Sequence, residues 1–150
     1  MKRVTLFVAL IAVLALVSLS SVPAALAERN TEMKEAPADR VVVMYFHRTK
    51  RCPTCQKMGS YSEEAVTKGF PQEVKDGSVE FHYVDFQDKK NAALKKGYKV
   101  DGPALIVAKV AKNKVAQFSN LKDIWAKHGD KEAFLKYIRD DVKAKQKSAG

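Results

Sequence analysis

The run "VVVMYF" at 41–46 constrains this chain more than any other stretch. It is continuous, apolar, β-branched and aromatic, with no polar alternation, so a strand formed there has to be covered on both faces. Immediately behind it comes "HRTKRCPTC", which holds the only two cysteines of the chain, Cys52 and Cys55. A buried strand therefore delivers a cysteine pair to the start of whatever follows. Met58, Tyr61, Ala65 and Val66 share one side of a helix running from about Cys55 to Lys68, with Gly59 weakening the pattern and "GFP" at 69–71 closing it.

Further along, "VEFHYVDF" (79–86) alternates and reads as a second strand. A helical pattern at about 88–97 puts Ala92, Ala93 and Leu94 inside. "ALIVAKV" (104–110) and "KVAQF" (114–118) form a strand hairpin about a tight turn at Lys112–Asn113. Asn120 is placed to cap a short helix over 121–128, and Asp130 a longer one over 131–145 that buries Phe134, Leu135, Ile138 and Val142. Strand–helix–strand implies a parallel pair with a right-handed crossover. The expected fold is α/β: a small mixed four-stranded sheet, a parallel pair plus a C-terminal β-hairpin, with helices on both faces.

The chain has 150 residues. Lys2 and Arg3, the apolar run Val4–Leu19 and the small-residue pattern at Ala25 and Ala27 make residues 1–27 a secretory signal peptide, cleaved after Ala27. A retained membrane anchor is the alternative. The expected location is exported, periplasmic or extracellular. Residues 28–39 are a polar linker or arm, 40–145 the folded domain and 146–150 a basic tail. Losing the first 27 residues removes two basic residues and no acidic ones, so 25 against 17 remain, a balance of +8. Export argues against nucleic acid, which leaves an acidic protein partner or a membrane face.

Two cysteines three positions apart admit few uses. As a staple they would close almost no loop, and long loops gain most. Structural zinc needs four ligands, and His47, His82 and His128 lack the spacing to complete a site with them. A redox role has positive support, because a helix N-terminus favours the thiolate that does the chemistry. Cys52 is then the exposed nucleophile and Cys55, one turn inside, the resolving thiol. Pro53 suits the first helical turn. His47, Lys50 and Arg51 are candidates for tuning the thiolate. Two soft thiolates with Met58 or His47 also suit Cu(I) handling, and a non-catalytic adaptor uses the same scaffold without either chemistry.

"VVVMYF…CPTC" followed by a helix, and later "VDGPALIV", resembles the thioredoxin superfamily over roughly residues 40–145. The resemblance implies exchange with protein thiols and disulfides or with a membrane redox partner, and no cofactor. It also implies that Pro103 is a cis-proline facing the cysteines and part of the catalytic site. More narrowly, "YFHRTKRCPTC" with "NLKDIW" and "GDKEAFLKYI" is similar to exported proteins labelled as an accessory subunit of a nitrophenyl-compound nitroreductase. The chain also departs from thioredoxins. Arg51 replaces the tryptophan before the first cysteine, Pro-Thr separates the pair, and the loop from Phe46 to Cys52 is about one residue longer. Tyr45 lies near the place of the buried carboxylate, and residues 28–40 leave little room for a first strand and helix.

Overall fold

The computed structural model describes residues 35–148. The expected signal peptide and the first part of the polar arm lie outside the described residues. The run 41–46 becomes strand β1, Arg40–His47, with all six of those residues buried. Successive side chains of a strand point to opposite faces, so β1 feeds two cores. Val41, Val43 and Tyr45 enter one, and Val42, Met44 and Phe46 the other.

Helix α1, Pro53–Gly69, follows the cysteine loop. It ends where Pro71 biases Phe70 away from helical backbone, and Phe70 has φ −139°. Pro71 then opens a short helix α2, Pro71–Asp76, that the sequence pattern does not separate from the end of α1. Gly77 stops α2 in the left-handed conformation, at φ +83°, where glycine carries no Cβ penalty.

Strand β2, Val79–Asp85, lies parallel to β1, with Tyr45 beside Tyr83. A 3₁₀ turn at Lys89–Asn91 leads into α3, Ala92–Gly97. Strands β3, Ala104–Ala111, and β4, Lys114–Asn120, form an antiparallel hairpin. Its turn is Lys112–Asn113, and both residues have positive φ, as a two-residue turn matched to strand twist requires. β3 also pairs antiparallel with β1, giving the sheet order β2-β1-β3-β4. Helix α4, Ile124–Lys127, is shorter than expected, and Asn120 does not cap it. Asn120 instead ends β4 opposite Ile106, so the ladder rather than a helix terminus claims it. Helix α5, Lys131–Lys147, is capped as expected: Ala133 N–H donates to Asp130 Oδ1 at 3.1 Å. It runs two residues into the expected tail.

Both α1 and α5 cover the face of Val41, Val43 and Tyr45. Phe134 of α5 is fully buried there and meets the Tyr61 ring edge-on at 5.6 Å. Burial of one such side chain contributes roughly 1.5–3 kcal/mol. The opposite face is covered differently. Ala92, Ala93 and Leu94 are exposed rather than inside, and no residue of α3 is buried. Tyr98 and Val100, just past the helix, make the core contacts instead. The end of α3 closes with Val100 N–H on Lys95 O at 2.9 Å and Lys99 N–H on Lys96 O at 3.2 Å. That closure puts Lys99 in the left-handed region, at φ +54°, a place glycine usually takes.

Candidate redox site

The cysteine loop leaves β1 at its C-terminal end and is tied to the end of β2. Phe86 N–H donates to His47 O at 3.0 Å, and Thr49 Oγ1 donates to Asp85 Oδ2 at 2.7 Å. The Thr49 hydroxyl and the Gln87 amide hold the Asp85 carboxyl below its ordinary range. The anchored loop then delivers Cys52 to the N-cap of α1.

Cys52 has extended backbone, and its sulfur accepts from Cys55 N–H at 3.3 Å. Pro53 occupies the first turn, where its missing N–H costs nothing. The two thiols are free, with sulfurs 3.0 Å apart, longer than the ~2.05 Å of a disulfide bond. Their surroundings differ. Cys52 is exposed, while Cys55 is only 8% exposed. Cys52 is lowered below the ordinary thiol value, first by the Cys55 thiol and then by the Cys55 backbone amide, with the Thr54 amide adding to both. Cys55 is raised, first by burial and then by donating to Cys52. The pair thus separates into one thiol that ionises more readily and one that holds its proton more tightly. Iodoacetamide at neutral pH should therefore alkylate Cys52 well ahead of Cys55. The Cys52 rate should level off at a pH below the ordinary thiol pKa of about 8.5. Equal labelling by peptide mass mapping would contradict that separation.

The expected tuning residues are placed as follows. Arg51 lays its guanidinium 5.1 Å from the centre of the Tyr83 ring. His47 Nδ1 donates to Arg48 O at 3.0 Å, and its ring lies near those of Tyr45 and Tyr83. Lys50 is exposed. None of the three is among the groups that chiefly lower Cys52. Pro103 precedes β3 at the same end of the sheet, since Ala104 pairs with Phe46. It lines a groove with Gly102, Leu121 and Trp125 that includes neither cysteine. No peptide bond among the described residues is cis, so the bond before Pro103 departs from the resemblance. Trans is the favoured isomer even before proline, by about 0.5–1 kcal/mol.

Two tyrosines and a glycine complete the site, and of these Tyr45 and Gly59 stand out in the sequence. Tyr45 is fully buried, and its hydroxyl donates to Cys55 O at 2.9 Å. Burial, then the neighbouring Cys55, push its pKa well above the ordinary tyrosine value. It thus keeps its proton and braces the cysteine turn. Tyr83, its cross-strand partner, donates to Glu63 Oε2 at 3.0 Å. Burial and that bond push Tyr83 up to about 12. Both rings fit beneath α1 because Gly59 has no side chain. A Cβ there would stand 2.9 Å from Tyr83 Cε1 and 3.0 Å from Tyr45 Cε1. A glycine within a helical pattern is the signal that marks such close approach.

No protein-family model matches the chain, and no curated protein matches it in sequence. Among solved structures it is similar to mitochondrial thioredoxin 3 from Saccharomyces cerevisiae in its oxidised form. That match has 17% identity and a TM-score of 0.42, and covers 77% of this chain and 89% of the yeast protein. It is similar also to a mutant thioredoxin from Halobacterium salinarum NRC-1, at 19% identity and a TM-score of 0.45, covering 80% of this chain and 88% of that one. The fold itself is a mixed four-stranded sheet with one parallel pair and a closing hairpin, and it carries a Cys-x-x-Cys pair at the head of α1.

Proposed function

We propose that the protein is an exported thiol–disulfide oxidoreductase or electron relay that works through Cys52 and Cys55. The observation that carries this is two free sulfurs 3.0 Å apart, one exposed and lowered, the other buried and raised. In the reducing direction the Cys52 thiolate attacks a partner disulfide. The partner S–S bond breaks, one partner sulfur leaves as thiolate and takes a proton, and a mixed disulfide forms. Cys55 then loses its proton and attacks the Cys52 sulfur, which releases the second partner thiol. The partner has gained two electrons and the pair has become a disulfide. The oxidising direction is the reverse. A stabilised Cys52 thiolate favours the reduced form and so a more oxidising pair.

Export rests on the leader pattern at 1–27. For Cu(I) handling, Met58 is fully buried in the core, which leaves Cys52 and the half-buried His47 as the accessible donors. An adaptor would keep its activity when both cysteines are changed to serine.

The test is the reduction potential of the pair, titrated in thiol–disulfide buffers. A reversible couple between about −300 and −100 mV supports exchange, with thioredoxin near −270 and a strong oxidant near −120. A pair that stays oxidised below about −300 mV, or never closes, overturns it.

A further inference from the structure

We infer that the groove between α3 and β4 docks on an anionic phospholipid bilayer. The groove measures about 300 Å³ and is lined by Ala93, Leu94, Gly97, Tyr98, Val115 and Phe118. Leu94, Val115 and Phe118 are 39%, 51% and 42% exposed, on the sheet face opposite α1 and its cysteines. Large apolar side chains gathered in one exposed place mark an interaction surface.

Charge identifies the occupant. The groove is built from two segments, 89–100 and 111–122, with Asp88, Asp101 and Asp123 at their borders. Together they contain eight lysines and no acidic residue. Beyond residue 27 the chain carries a balance of +8, so these two segments hold the whole excess and the remainder is neutral. Lys95, Lys96, Lys99 and Lys114 are each bonded in the chain to a residue lining the groove. Among the described residues none of the four makes an ion pair. Lys99 holds its charge in a backbone conformation that disfavours any side chain, which fits a requirement for charge at that spot.

A second copy of the chain is a poor occupant, because two such faces repel. An acidic protein is less suited than a lipid surface, because neither segment contains arginine. Arginine pairs carboxylates in a fixed two-bond geometry, whereas lysine is a mobile point charge. Lysines around an apolar centre match a field of phosphates over acyl chains. Docked this way, the protein keeps its cysteine pair clear of the bilayer.

The test uses the full chain carrying Trp125→Phe and Phe118→Trp, so that the single indole reports from the groove itself. With vesicles of mixed phosphatidylglycerol and phosphatidylcholine, its emission should shift to the blue and be quenched by brominated acyl chains. Pure phosphatidylcholine should leave it unchanged. Changing Lys95, Lys96, Lys99 and Lys114 to glutamine should weaken the response on the order of a thousandfold. Should that variant fail to fold by circular dichroism, salt provides the second measurement, since raised ionic strength should release the lysine-bearing protein. An indole unmoved by anionic vesicles overturns the inference, as does an equal response on phosphatidylcholine alone. Tight binding of polyglutamate without bromolipid quenching overturns it in favour of an acidic polypeptide.

Discussion

Replacing Cys55 with alanine should turn a transient encounter into a lasting covalent one. Cys52 keeps its exposed N-cap position and its backbone donors, so its attack on a disulfide continues. What is lost is the second thiol at 3.0 Å, which in the proposed exchange releases the partner. Release then depends on a thiol arriving from solution. A well-placed intramolecular group has an effective concentration far above any real one, so turnover should fall by a factor on the order of 10³ or more. On a non-reducing gel the variant should carry partner proteins that dithiothreitol removes. Cys52→Ser should carry none and be inactive. A Cys55→Ala protein that is folded and turns over at the normal rate would rule out Cys55 as the resolving thiol. Because Cys55 also supplies the largest lowering of Cys52, the variant's remaining thiol should titrate closer to the ordinary thiol value.

A branched side chain at Gly59 should be the most damaging single change beneath the site. In an open helix, replacing glycine gains up to about 1 kcal/mol of helix propensity. Here the new Cβ meets Tyr83 at 2.9 Å and Tyr45 at 3.0 Å. Tyr83 is 40% exposed and can give way, but Tyr45 is fully buried and bonded to Cys55 O. Overpacking wins, and Gly59→Val should cost about 2–3 kcal/mol. For a domain of this size that lowers the melting temperature by roughly 10 °C. The same substitution should disturb the Tyr45–Cys55 brace and move the reduction potential, whereas an equally destabilising change at Phe134, on α5, should leave it in place. A Gly59→Val protein as stable as the parent would show that the rings yield freely.

Much of this architecture can be read from local pattern. β1 is an unbroken apolar run, the hairpin turn falls on Lys112–Asn113, and Asp130 caps α5, each decided by neighbours in the chain. The placement of Cys52 outside and Cys55 inside follows from the same local rules. The misreadings are tertiary. Ala92, Ala93 and Leu94 look like a core stripe, but α3 is only six residues long and is fastened by Tyr98 and Val100 beyond its end. Asn120 looks like a cap because nothing local reveals that β4 continues to it across from Ile106. Arg51 looks like a partner for Cys52, yet Tyr83, brought alongside by strand register, takes it. The roles of Tyr83, Glu63 and Gly59 depend on residues 14 or more apart meeting at one helix.

The central place of β1 has a further consequence for motion. β1 is hydrogen-bonded to β2 on one edge and β3 on the other, so its amides open only when much of the sheet does. Six residues after Phe46, the Cys52 sulfur is already open to solvent. Amide exchange should therefore pass from the slowest in the molecule to nearly free within that short step. The Cys52 sulfur stands at the open end of this gradient, and its root in the sheet at the closed end.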